Sequence, residues 1–211
     1  MGIFRRLFGK KEERQANSLT EAAESLDNER LIRMHDRASS YSLIAVPGNA
    51  EAEIPRFLSA FGYTLLRTGS FSGPFEDLYF GIQEPSGPDN SIVQKAWFNA
   101  DGHTILLDPE MVFVTGTAGL SEIARKVGGT VKAAIWERVS ESVALVEVGP
   151  EGVVRQTWYC QGERSEESIN EHPEIAERPD NEGLNAALAA YGLSKTAVFG
   201  EVDATLAELQ G

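Results

Sequence analysis

Cysteine occurs once in the 211 residues, as Cys160, and histidine three times, as His35, His103 and His172. A single thiol excludes an intramolecular disulfide and a cysteine-cluster zinc site, and no two histidines stand at ligand spacing. Nothing approaches the ~20 consecutive apolar residues of a membrane-spanning helix. The chain carries no GxxxxGK(S/T) loop, no GxGxxG after a strand and no GxSxG elbow. Basic residues are in deficit, 19 Lys and Arg against 32 Asp and Glu, for a net charge of −13. That balance argues against nucleic acid as the partner of the main body and suits a basic protein partner.

The material that is present, 42% hydrophobic and 24% charged, is enough for a folded core. Charge is unevenly placed. Residues 1–15 hold five basic and two acidic side chains, net +3, which leaves −16 on the remainder. Ile3, Phe4, Leu7 and Phe8 fall on one face of a helix, flanked by Arg5, Arg6, Lys10 and Lys11, a composition suited to weak contact with an anionic membrane surface. These first residues resemble the N-terminal tips of bacterial peripheral membrane proteins of the phage-shock type. The start does not read as a secretory signal, because Arg5 and Arg6 interrupt it after two apolar residues. The expected location is a bacterial cytoplasm, with peripheral attachment to the inner membrane.

A polar helical spacer is expected over 16–39 behind the capping box Ser18–Glu21, then an α+β domain over 40–211. The pattern predicts a mostly antiparallel sheet with short helices on one face. Strands are expected at Tyr41–Val46, Tyr63–Ser70, Asp77–Gln83, Ile92–Asn99, His103–Leu107, Met111–Val114, Val131–Val139, Val143–Val148 and Val153–Tyr159, and near Val198–Phe199. Asp101-Gly102 marks a hairpin turn. Helices are expected around Ile54, Phe57 and Leu58, around Leu120, Ile123 and Ala124, around Leu184 and Leu188, and around Val202, Leu206 and Leu209. This order suggests two pseudo-repeated β-α-β-β-β halves, 41–102 and 103–162. An acidic loop over 163–182, with eight acidic residues against Arg164 and Arg178, and C-terminal helices over 183–211 follow. A further loop is expected over 84–89.

No motif announces catalysis. Thr115-Gly116-Thr117-Ala118-Gly119 is the nearest approach to an anion-holding glycine loop, and it lacks a lysine. The leading expectation is a non-enzymatic protein-binding module, of immunity or adaptor type, without metal or cofactor. Trp136, Arg138, Arg155 and Trp158 on a wet sheet face, with Glu166, Glu167 and Glu171 of the acidic loop, are the candidate partner-binding residues. The alternative is a small hydrolase-like enzyme assembled from His103, Asp108, Cys160 and His172, in which Cys160 would need to lie near a histidine; as a structural residue it would be a half-buried thiol. Replacing Phe4, Leu7 and Phe8 together by serine should abolish co-sedimentation of the full chain with phosphatidylglycerol vesicles. Unchanged sedimentation would remove the membrane expectation.

Overall fold

The computed structural model describes residues 40–83, 91–193 and 200–211. The expectations for the tip, the spacer, the loop at 84–89 and a strand near Val198–Phe199 lie outside the described residues.

Nine strands form one antiparallel sheet in the order β2-β9-β3-β4-β1-β5-β6-β7-β8. They are β1 (Ser40–Pro47), β2 (Thr64–Pro74), β3 (Ile92–Ala100), β4 (His103–Leu107), β5 (Val131–Glu137), β6 (Ser142–Gly149), β7 (Gly152–Cys160), β8 (Glu163–Arg164) and β9 (Glu201–Gln210). The helices are α1 (Ile54–Ala60), α2 (Phe75–Gln83), α3 (Val112–Thr115), α4 (Thr117–Val127), α5 (Pro173–Glu177) and α6 (Asn181–Ala189). The fold is therefore the expected α+β type. Its helices divide between the two sheet faces rather than gathering on one.

Strand alternation decides which residue meets which layer. One face carries Ile44, Val46, Trp97, Leu106, Ala133 and Val146 against Ile54, Phe57 and Leu58 of α1 and Leu120, Ile123 and Ala124 of α4. The other carries Leu43, Phe98, Ile105, Leu107 and Leu145, all buried. There α2 packs Phe75 edge-on against Phe98, and the Tyr79 hydroxyl accepts the Ser42 backbone N–H at 3.1 Å. Asp101 and Gly102 turn the β3–β4 hairpin as foreseen, with φ of 47° and 73°.

Three expected elements change type. Asp77–Gln83 lies within α2, whose buried residues Phe75, Leu78, Tyr79 and Ile82 recur at helical spacing once Phe75 is included. Residues 112–115 form α3 instead of a strand, and Asp108 secures its first turn: its Oδ2 accepts the Phe113 N–H at 2.8 Å. Val202, Leu206 and Leu209, spaced as on a helix, belong to β9, held between β2 and β3. The two halves thus share a β-α-β start and diverge after it.

A charged pair is buried in this core. Lys95 of β3 and Asp108, just after β4, form an ion pair with both side chains fully buried, and Glu110 reaches the same ammonium. The ammonium lies 5.2 Å from the Phe113 ring centroid and 5.5 Å from that of Tyr63. Burial pulls the Lys95 pKa down, but the two carboxylates outweigh it and hold it above its ordinary value. Asp108→Asn keeps the shape and leaves Lys95 with Glu110 alone. It should cost about 3–5 kcal/mol in urea unfolding, and Lys95→Met added to it should recover part of that loss.

Two glycines should respond to alanine with opposite signs. A Cβ on Gly183 of α6 would fall 1.9 Å from the Arg178 carbonyl oxygen and 2.9 Å from that of Glu174. Gly81 of α2 is exposed, and its Cβ would meet nothing within 4 Å. Gly81→Ala should stabilise by about 0.5–1 kcal/mol through helix propensity. Gly183→Ala should destabilise by about 1–3 kcal/mol through overpacking, despite the same propensity gain. Thermal melts of the two variants read the sign directly.

Candidate functional site

A sheet edge exposes unpaired backbone donors and acceptors, and folded proteins usually cover or interrupt it. The two ends of this sheet are treated differently. At the β7 end, the acidic segment seals the edge. β8 pairs with Tyr159 and Cys160, and the Ser165 N–H reaches the Trp158 carbonyl at 2.9 Å. Gln156 and Ile169 exchange backbone hydrogen bonds of 2.7 and 2.6 Å, and the Ser168 hydroxyl accepts the Trp158 N–H at 3.0 Å. The expected loop over 163–182 is therefore a folded border, and α5 and the start of α6 complete it.

At the other end, β2 pairs along its length with β9 and, among the described residues, with no second strand. Thr64–Ser70 are all exposed, including Leu65 at 38% and Leu66 at 47%. The sequence TLLRTGSFSGP explains this, since its serines, threonines and glycines supply little apolar surface to bury. A bulge between Leu65 and Arg67 breaks the register at one end, and Pro74, which has no N–H, ends the strand at the other.

A depression of about 200 Å³ opens beside this edge, lined by Arg67, Thr68, Gly69, Gln94, Leu206, Ala207 and Glu208. Gly69 stands opposite Leu206, and a Cβ on Gly69 would meet nothing within 4 Å. The missing side chain leaves the Leu206 side of the ladder open. Arg67 closes one end by donating to both Glu208 oxygens, at 2.6 and 2.5 Å. Those hydrogen bonds hold the Glu208 carboxyl below the ordinary carboxylate range.

A second polar cluster near the surface is occupied by its own members. Lys132, Glu147 and Arg155 stand directly opposite one another on β5, β6 and β7. Glu147 accepts from the Tyr191 hydroxyl and lies 3.4 Å from Arg155 Nε, while Lys132 Nζ sits 4.6 Å from the Tyr191 ring centroid. Burial lowers the Lys132 pKa against the pull of Glu147, and burial with Glu147 raises that of Tyr191. His172, buried, meets the Tyr191 ring edge-on at 5.5 Å, with its Nδ1 2.6 Å from Glu174 Oε2. This network fastens α5 and the chain after α6 to the sheet.

The residues singled out from the sequence are dispersed. Trp136 stands opposite Val143 and Tyr41, whereas Trp158 stands opposite Ala144 and packs on the core of the α1–α4 face, so the two tryptophans lie on opposite faces. Arg155 joins the Glu147 network, and Arg138 is exposed in the β5–β6 turn. Glu171 is bound by Arg164 and accepts from the Tyr159 hydroxyl at 2.7 Å, while Glu166 and Glu167 are exposed. Of the alternative set, His103 and Asp108 flank the two ends of β4. Cys160 is exposed, because it ends β7 at the turn. It alternates with the face of Thr157, whose hydroxyl accepts the His172 N–H at 2.6 Å, so the sheet lies between that thiol and His172. Among the described residues, no three His, Cys, Asp or Glu side chains gather as metal ligands, and no helix is long and apolar enough to cross a membrane. Gly116 and Gly119 serve packing: the Phe61 ring lies over them, and a Cβ on Gly119 would fall 2.1 Å from its Cζ.

The β2 edge was not singled out from the sequence, although a strand was expected there. Its Gly, Ser and Thr content was the available signal, in contrast to the buried run Val143–Val148. Comparison of the chain with protein-family models, with curated proteins and with solved structures finds no match in any of the three.

Proposed function

We propose that this protein is a non-enzymatic protein-binding module that docks a second polypeptide chain by strand addition along β2. The observation that carries the reading is the contrast between the two sheet edges. One is closed by a dedicated folded segment, while β2 offers its outer backbone groups along a regular stretch beside an open depression. Main-chain hydrogen bonds would supply affinity, and the Gly69 depression would select one side chain.

The acidic body adds a second contact. Glu163, Glu166 and Glu167 are exposed on the border at the far end of the sheet, where a basic protein would be attracted. With the basic tip over residues 1–15 on an anionic membrane surface, the whole would act as an adaptor at the bacterial inner membrane.

Panning random peptides against the full-length protein tests the docking edge. Selected peptides should slow amide exchange across Arg67–Gly73, and Thr68→Pro should abolish their binding. Peptides that leave those amides unaffected and bind Thr68→Pro equally well would overturn the reading.

A further inference from the structure

We infer that the chain docking on β2 is a second copy of this protein, added antiparallel about a two-fold axis at Ser70. The inference rests on the proposed docking edge and names its occupant. The bulge between Leu65 and Arg67 and the missing N–H of Pro74 confine regular pairing to the seven residues Arg67–Gly73. The midpoint of that window is Ser70. An isologous antiparallel pair centred there places Ser70 opposite the partner's Ser70, Gly69 opposite the partner's Phe71, Thr68 opposite the partner's Ser72, and Arg67 opposite the partner's Gly73.

The side chains match in this register. Gly69 and Phe71 share one face of β2, opposite Leu206 and Ala204 of β9. Each copy therefore sets a half-buried Phe71, whose ring lies beside its own Gly73, directly opposite the other's Gly69, and turning that ring across the seam fills the open depression above Leu206. An aromatic ring laid across a glycine on the neighbouring strand is a recognised way of completing a sheet surface. The exchange happens twice, once on each side of the axis. On the opposite face Thr68, Ser70 and Ser72 meet the partner's Ser72, Ser70 and Thr68, pairs that exchange hydroxyl hydrogen bonds.

Within the window charge does not oppose the pairing, although two copies, each at −13, repel at longer range. Arg67 is the single charged residue of the window, and it is already neutralised by Glu208. The two Arg67 residues would lie at opposite ends of the seam, about 20 Å apart at ~3.4 Å per residue, beyond the screening length of physiological salt. One strand pair is a small interface, so association should depend on concentration. The product is one continuous sheet across two copies, with both acidic borders at its outer ends.

The full-length chain carrying Cys160→Ser and Ser70→Cys is the test. Directly opposed residues of an antiparallel pair have Cα atoms about 4.5–5.5 Å apart, within the span of a disulfide. Mild oxidation should give a covalent dimer of Ser70→Cys. Thr68→Cys and Ser72→Cys should each stay monomeric alone and cross-link when mixed. Ser70→Lys, which sets two ammonium groups face to face, should sediment as a monomer at concentrations where the parent dimerises. Cross-linking by Thr68→Cys alone would overturn the register. A parent that sediments as a monomer at every concentration, yet whose β2 amides are protected by panned peptides, would overturn the second copy and leave the docking edge standing. Absence of protection by either would remove both.

Discussion

The buried ammonium of Lys95 ties together β3, the end of β4, α3 and the residue before β2. It sits on β3, takes Asp108 from the end of β4, and through Asp108 fixes α3, whose Phe113 N–H that carboxylate also binds. The Asp108 backbone N–H in turn holds the Ser42 carbonyl of β1 at 3.1 Å. Phe113 and Tyr63 close over the charge, and Phe61, which meets Phe113 edge-on at 4.4 Å, lies on Gly116 and Gly119 at the start of α4. A charge taken out of water tolerates few alternative arrangements, because any displacement of its carboxylate leaves it uncompensated. The path of the chain out of α1 into β2, and the seat of α4, both follow from this pair. Tyr63 is the residue before β2, so the same contact sets where the exposed strand begins.

Sheet growth is the second constraint. Nine antiparallel strands leave two ends, and the polar, proline-bearing segment after β7 turns one of them into a closed border. The Lys132–Glu147–Arg155 row and Tyr191 hold the helical part of that border down. Asp180 adds an N-cap to α6, accepting from the Glu182 and Gly183 N–H groups at 2.9 and 3.0 Å. Acidity that reads in sequence as a solvated loop thus has a structural use, while Glu163, Glu166 and Glu167 stay exposed.

Much of this was legible in the sequence, and the failures have physical causes. The strands from Val131 to Tyr159 and the Asp101-Gly102 hairpin follow from alternation and turn chemistry. Helix α2 escaped because a window opened at Asp77 omits Phe75, the residue that establishes the helical spacing. Strand β9 escaped because its burial changes face midway. Val202 and Ala204 are buried toward α2, whereas Ala207 and Leu209 are buried in the core of the other face. That switch mimics a helical period, and only pairing with β2 and β3 on either side resolves it. Asp108 stands out in the sequence only as a member of the alternative enzyme set, because its partner Lys95 lies in an apolar strand where nothing local demands a charge. The exposed β2 edge was signalled only by its Gly, Ser and Thr content, because edge position belongs to strand order, which periodicity does not encode.

An open edge is also a hazard, since any extended segment can pair with it. Proteins commonly blunt such edges with lysine, whereas β2 restricts them by length and shape. Leu66 in its bulge and Pro74 shorten the usable ladder, so a longer strand gains nothing by sliding past the window. Within it, Gly69 leaves a gap beside Leu206 that a small side chain cannot fill, and the Arg67–Glu208 pair walls one end of that gap. A segment lacking a large apolar side chain at the matching position would pair its backbone and leave apolar surface wet. In the proposed docking, backbone hydrogen bonding would supply the attraction common to all strands. The choice among them would fall to the side chain absent at Gly69, for which Phe71, two residues along the same strand and on the same face, is the complement that the molecule itself carries.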